Sequence, residues 1–316
     1  MARVTDKEFN AALPVMQKLL WADPQDRARL QEQGLNVTPS NFYSSTPSIS
    51  EITSSYEYGE SEPPYLNCGI FDQEKLRGEL AELLPYAADF TPDETGNDKT
   101  CTSYFWKNSQ FSFSDAMSYY AYVRRIRPKT VVEIGSGFSS LIAMEALRKN
   151  GVGTLRCIEP FPRPFITSLG NAGALELQAL RAQDVTAESL NAMLEDGDIL
   201  FIDSTHTVKT GSDCLHIYLR LLPKITKKIF VHVHDIFLPF GLPQKWLIDQ
   251  QIYWTEQYLL LALLIDNPRA NLLFGSAYHK HFNDDLLTEF MHGRCGSGGG
   301  SFWFEYDGRN SVEREL

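Results

Sequence analysis

Five short apolar runs in this chain end in polar residues whose types could do chemistry. Residues 131–134 lead to Gly135, Ser136 and Gly137, and Glu133 lies within that run. Residues 154–158 lead to Glu159, and 175–180 to Gln183 and Asp184. Residues 198–202 lead to Asp203 and, three positions on, His206; 228–233 lead to His234 and Asp235. A glycine turn after a buried strand lets a ligand approach the backbone and aims the next helix N-terminus at it. An acidic residue about two dozen positions later can accept both hydroxyls of a ribose, which assigns that task to Glu159. Asp184, at the following strand end, could meet an adenine amino group. Together these describe an adenosine site. The third glycine of a dinucleotide fingerprint is replaced by Ser140, so no pyrophosphate need be cradled. Asp203, His234 and Asp235 offer two carboxylates and an imidazole to a divalent cation such as magnesium. His206 is the candidate general base, because an imidazole titrating near neutrality can take a proton from a hydroxyl. His232 and His234 alternate along a strand, so at most one of them points into a given site. Each residue alone could be a helix cap or a core side chain. Five polar strand ends on one edge are harder to explain that way.

The elements that must position these residues follow from periodicity. Apolar runs of strand length alternate with helical patterns from Lys129 onward, which predicts a mostly parallel sheet with helices on both faces. Sites in such sheets lie at the carboxyl ends of the strands. Helices are predicted over 5–33 (in two pieces, closed by Gly34), 71–90, 161–169, 187–194 and 208–222, with a long one over 246–265. Strands are predicted over 271–274 and 301–306, the latter after a glycine-rich turn at 296–300 that reads as flexible and without function. Residues 36–66, rich in proline, serine and tyrosine, read as an ordered arm on the main domain. The aromatic stretch 104–115, with Asn108 and Asp115, is either a pocket wall or the seam between arm and core.

The bulk properties exclude several classes. The chain has 316 residues, 43% of them hydrophobic, enough for one large domain with an extension. Its formal charge of -11 argues against a nucleic-acid partner. No apolar run is long enough to span a bilayer. The first eight residues contain no hydrophobic signal core, and a cytoplasmic location is expected. Five scattered cysteines without a C-x-x-C pair point away from a disulfide framework or thiolate zinc site.

Val-Val-Glu-Ile-Gly-Ser-Gly (131–137), Glu159, Asp-Ile-Leu-Phe-Ile-Asp-Ser-Thr-His (198–206) and His-Asp-Ile-Phe-Leu-Pro (234–239) resemble class I S-adenosylmethionine-dependent methyltransferases, in particular a bacterial branch of small-molecule O-methyltransferase-like proteins. The resemblance covers about residues 100–306. Residues 41–49 and 106–111 also look like that branch. It implies a Rossmann-like seven-stranded sheet with its last strand antiparallel, behind a helical, aromatic-rich N-terminal arm (1–100) that closes over the acceptor; residues 101–316 would form the cofactor-binding domain. It implies that Glu133, Gly135, Ser136 and Gly137 hold the methionine end of S-adenosylmethionine. Glu159 would take the ribose, Gln183 and Asp184 the adenine side, and Asn108 would approach from the N-terminal side, with Asp203 also beside the cofactor. Asp203 and His206 are similar in spacing to the Asp-x-x-Lys of catechol O-methyltransferase, with a histidine in place of the lysine. His234-Asp235 stands where the metal-dependent enzymes carry Asp-Asn. The expected activity is methyl transfer to a hydroxyl of a small molecule, with Asp203 and His206 as the catalytic pair. A nitrogen acceptor, an NAD-dependent oxidoreductase and a non-catalytic cofactor-binding protein are the alternatives, and self-association is left open.

Overall fold

The computed structural model describes residues 3–309. It divides into two compact units after Ser55. In the first, a helix over Asp6–Leu19 starts at a reciprocal Thr5–Glu8 capping box, and Asp23 caps a second over Pro24–Glu32. A short helix, Ile49–Thr53, starts at Ser48 with the same Ser/Glu box.

The second unit is built on one seven-stranded sheet: β1 (Thr130–Ile134), β2 (Thr154–Ile158), β3 (Glu176–Gln178), β4 (Ile199–Ile202), β5 (Lys228–Val233), β6 (Ala270–Gly275) and β7 (Phe302–Asp307). Their spatial order is β3-β2-β1-β4-β5-β7-β6. Neighbours from β3 to β5 pair parallel, and β7 runs antiparallel between β5 and β6. This is the expected Rossmann-like sheet with one reversed strand. The order reverses between β2-β1 and β4, which opens a crevice at the carboxyl ends of β1 and β4.

β4 shows why the runs lack a polar face. Ile199 and Phe201 enter one core and Leu200 and Ile202 the other, and all four are buried. Helices Phe113–Ile126 and Phe138–Asn150 cover the first face, where Tyr119 and Phe201 stack at 5.0 Å and Tyr122 and Trp303 at 4.3 Å. Burying such side chains stabilises by about 1.5–3 kcal/mol each.

Several elements differ from the sequence reading. The long helix predicted over 246–265 is two helices, Gln244–Gln250 and Glu256–Leu264, separated where Gln251 turns left-handed. The third strand is only three residues long, and Gln183 and Asp184 sit on a 3-10 turn beyond it. The predicted helix 208–222 starts only at Asp213 and widens into a π-turn over Ile217–Leu221. Helices Ser276–Phe282 and Asp284–Phe290 had no counterpart in the reading. The later part of the proline-rich segment is anchored: the Tyr65 amide donates to the Pro239 carbonyl at 3.1 Å, and Glu57 accepts from the hydroxyls of Tyr65 (2.6 Å) and Tyr258 (2.8 Å).

Candidate functional site

The turn after β1 lies against the end of β4. Gly135 is left-handed (φ 88°), and a Cβ there would overlap the carbonyl oxygen of Asp203. Only glycine gives both this conformation and this approach. The Gly135 amide donates to Ile158 at 3.0 Å and the Asp203 amide to Ile134 at 2.9 Å, so the ends of β1, β2 and β4 are tied together. Glu159 follows β2 and accepts from the Ser136 amide (3.3 Å) and the Phe161 amide (2.7 Å). The buried Ser136 hydroxyl has no hydrogen-bond partner among the described residues, which leaves a polar atom at the turn for a ligand to satisfy.

Other predicted cofactor residues are occupied within the protein. Glu133 is fully buried, and its oxygens accept from the Tyr119 hydroxyl (2.8 Å) and the Ser140 hydroxyl. Burial pushes its carboxyl up to about 7, against the opposing pull of those hydrogen bonds. It therefore braces the turn from beneath. The Asn108 amide bonds to the carbonyls of Phe105 and Phe111 and accepts from the amides of Gln110 and Phe111, which shapes the 105–111 loop. Gln183 donates to the Gly211 carbonyl at 3.2 Å. Asp184 is exposed and paired with Arg181 at 2.8 Å; the hydrogen bond from that guanidinium holds its carboxyl below the ordinary range.

Beside the turn, β4 and β5 bring four side chains together. His206 Nε2 stands 3.2 Å from Asp203 Oδ1 and 3.6 Å from Asp235 Oδ2. His234 Nδ1 stands 3.6 Å from each of the same carboxylates. Asp203, His206 and Asp235 can present ligand atoms that all lie within 4.8 Å of one another. His206 and Asp235 both hold left-handed backbone (φ 57° and 55°), a conformation uncommon outside glycine that Asp and His adopt more readily than most residues.

The far side of each imidazole is backed by a buried carboxylate. His206 Nδ1 meets Glu256 at 2.7 Å; Glu256 also accepts from the hydroxyls of Tyr218 (2.8 Å) and Ser204 (3.2 Å). The His206 carbonyl in turn accepts the amides of Thr255 and Glu256, so the helix break predicted as continuous helix is what delivers Glu256. His234 Nε2 meets Asp115 at 3.3 Å. Asp115 is held by the Ser276 hydroxyl (2.7 Å) and by the amides of Gly300 (3.0 Å) and Ser301 (2.7 Å). The glycine-rich turn read as functionless thus positions Asp115. It also abuts Asp235, whose Cα would lie 2.8 Å from a Cβ at Gly300. His232 faces away: it bonds to Ser301 at 2.7 Å and stacks on Trp303 at 4.1 Å, a core histidine held well below its ordinary range by burial.

The electrostatics follow from this packing. Burial alone would lower His206, but its hydrogen bonds to Asp203 and Glu256 and their charges lift it to about 10. His234 is likewise raised by Asp235 and Asp203 against burial. Burial opposes ionisation of Asp203, yet the charge of His234 and the hydrogen bond from His206 hold it well below the ordinary range; Asp235 is raised by burial. With no other cation present, His206 is therefore protonated at neutral pH, and in that state it is not a base. The set asks for positive charge, supplied either by two imidazolium groups or by a metal ion.

An aromatic wall borders the cluster. Trp254 lies 4.4 Å from the His206 ring, Trp246 5.4 Å from Trp254, and Phe237 5.1 Å from Trp246. All three are half-buried. Glu256 and this wall are absent from the sequence's candidate residues, and Asp115 enters there only within the stretch read as a pocket wall or a seam. A cavity of about 980 Å³ between Phe90, Leu141, Leu155 and Leu175 lies toward the amino ends of β2 and β3, away from these groups. The strand-end geometry marks the site better than cavity size does.

Residues 132–236, which carry both the turn and the cluster, match the family model of a methyltransferase domain. An uncharacterized protein of Archaeoglobus fulgidus is 33% identical over 141 residues, 43% of this chain and 63% of that protein's length. Among solved structures, the Bacillus cereus O-methyltransferase in complex with S-adenosylhomocysteine is 14% identical, covers 77% of this chain and 94% of its own, and has a TM-score of 0.40. The O-methyltransferase of tomaymycin synthesis from Streptomyces achromogenes, in complex with S-adenosylmethionine, is 16% identical over 77% of this chain and 93% of its own, with a TM-score of 0.39.

Proposed function

We propose that this methyltransferase-type domain binds S-adenosylmethionine at the Gly135–Gly137 turn and transfers its methyl group to a hydroxyl of a small molecule at the Asp203–His206–Asp235 cluster. The observation that carries the reading is the contact between the two parts: the turn touches Asp203, so a ligand on the turn has its reactive end beside the cluster. Glu159, at the end of β2, would take the ribose hydroxyls. Ser136 would offer its unpartnered hydroxyl and Glu133 would keep the turn in place. Gln183 and Asp184 lie in chain order where an adenine would be met, provided Asp184 gives up Arg181.

S-adenosylmethionine supplies a methyl group on a sulfonium, open to in-line attack by oxygen. The chain's own residues would align the acceptor, and His206, in its neutral form, would take the hydroxyl proton at Nε2. Phe237, Trp246 and Trp254 suit an acceptor with an apolar or aromatic body. The cluster suits its hydroxyl, and Trp254 stands against the His206 ring at 4.4 Å. A metal ion held by Asp203, His234 and Asp235 would lower the hydroxyl pKa as a Lewis acid. Alignment of oxygen and methyl would supply most of the rate gain.

The test is incubation with methyl-labelled S-adenosylmethionine and a panel of phenols, alcohols and matched amines, read by mass spectrometry. A methyl ether is the expected product. Methylation of the amines alone would overturn the choice of oxygen.

A further inference from the structure

We infer that Arg163 binds the α-carboxylate of the cofactor beside the Gly135–Gly137 turn, with the Ser136 hydroxyl as a second donor. The inference rests on the proposed cofactor reading and adds to it a residue that no motif in the sequence marks.

Three observations converge. The first is where the chain holds the guanidinium. Arg163 precedes the helix Pro164–Asn171 and stands between Pro162 and Pro164, neighbours that favour the extended backbone it adopts (φ -60°, ψ 152°). Its Nε lies 3.9 Å from where a Cβ on Gly137 would stand, and its guanidinium carbon 5.4 Å from the centre of the Phe138 ring. Phe138 opens the helix Phe138–Asn150, and its ring contacts those of Phe105 (5.7 Å) and Phe165 (5.6 Å). The cation therefore rests on a packed aromatic ring at the end of the turn. The second is an unpaired charge. Among the described residues Arg163 enters no ion pair, and its Nη2 donates to the neutral Gln110 amide oxygen at 2.5 Å. Glu159, four residues earlier, accepts from the amides of Ser136 and Phe161 instead. A guanidinium fork matches a carboxylate better than it matches one amide oxygen. The third is the Ser136 hydroxyl, buried and without a partner among the described residues, one position before Gly137. Both donors at this turn lack an anionic acceptor.

The charge balance of the site selects the group. Glu159 touches the turn, and Asp203 and Asp235 stand together beside it. These carboxylates suit the ribose hydroxyls and the cationic sulfonium and ammonium of S-adenosylmethionine. They repel its one anionic group. A carboxylate near the turn therefore needs a cation of its own, which Arg163 is placed to supply. The first turn of the helix Phe138–Asn150 adds the positive end of its dipole. Gln110 would share or yield the Nη2 donor, so cofactor binding would draw on the 105–111 loop as well. Arg163 would thus set cofactor affinity and leave the transfer itself to the cluster.

The full-length protein is titrated by calorimetry with S-adenosylhomocysteine and with S-adenosyl-3-thiopropylamine, which keeps the amine and lacks only the carboxylate. The wild type should bind the first at least about tenfold more tightly, as expected for hydrogen bonds to a charged group. In Arg163→Gln, S-adenosylhomocysteine should bind at least about tenfold more weakly, while the amine changes by less than about twofold. Arg163→Lys should recover part of the loss, since it restores the charge without the fork. Equal affinity of the wild type for the two ligands would overturn the inference, and this comparison serves if the variants fail to fold. Unchanged S-adenosylhomocysteine binding in a folded Arg163→Gln would overturn it too, as would an equal loss of both ligands, the mark of a structural role. In each of those cases S-adenosylhomocysteine binding to the wild type leaves the cofactor reading intact. Failure of the wild type to bind either ligand would remove the cofactor reading and the inference together.

Discussion

Glu133→Gln should change how stability depends on pH. The Glu133 carboxyl moves from an ordinary 4.5 to about 7 on folding, chiefly because it is fully buried. Between those values the native state keeps a proton that the unfolded state has released. The unfolded state thus binds fewer protons, and stability falls as pH rises through this window. At pH 5 the ionised unfolded carboxyl costs the native state about 0.8 kcal/mol, and at pH 8 about 3.3 kcal/mol, so this one group removes about 2.5 kcal/mol between them. Glutamine has the same shape and does not titrate. The hydroxyls of Tyr119 and Ser140 can accept as well as donate, so an amide can be satisfied there. The other titrating groups are common to both proteins, and Tyr119 and Cys157, which the Glu133 charge helps to raise, are pushed up by burial beyond this window. Urea unfolding at pH 5 and pH 8, followed by tryptophan fluorescence, gives the stability of each. The loss between the two pH values should be smaller in Glu133→Gln by about 2.5 kcal/mol. Parallel pH dependences would mean that Glu133 is already ionised in the fold and that its burial has been misread.

Three other perturbations bear on the scaffold and the site. Phe201→Ala, which empties the stacking partner of Tyr119 in the first core, should destabilise by about 3–5 kcal/mol in the same urea assay, with secondary structure by circular dichroism intact below the transition. Gly135→Ala should abolish S-adenosylhomocysteine binding by calorimetry, since its Cβ would displace Asp203; binding within about threefold of wild type would contradict the close packing of turn and cluster. Asp115→Ala strips the acceptor from Ser276, Gly300, Ser301 and His234 and should cost at least about 2 kcal/mol, a loss absent from the surface variant Asp26→Ala.

Much of the sheet could be read from the sequence. β4 is apolar throughout and buried on both faces, and β1 and β5 are apolar beyond their first residues except for the buried Glu133 and His232; the polar residues after each run mark the carboxyl edge. That edge gave Gly135, Glu159, Asp203, His206, His234 and Asp235, and the structure brings Asp203, His206, His234 and Asp235 within a few ångströms. The groups behind them were not legible. Asp115 meets His234 across 119 residues of chain, and Glu256 meets His206 across 50, so neither pair leaves a local spacing. The break at Gln251 was hidden because the apolar period carries on through it, and the left-handed turn falls on a residue with no glycine signature. The run 296–300 read as loose because glycine signals freedom in sequence; in the fold it signals close approach to Asp115 and Asp235. Glu133, Asn108 and Asp184 show the converse. Their positions drew a ligand assignment, while their hydrogen bonds go to the protein itself.

The most direct test of the central claim is calorimetric titration of the wild-type protein with S-adenosylhomocysteine, alongside Glu159→Ala. The account predicts one site per chain with micromolar affinity, weakened about tenfold or more when the ribose carboxylate is removed. Absence of binding to the wild type would contradict the assignment of the Gly135–Gly137 turn as a cofactor site, and with it the proposed reaction.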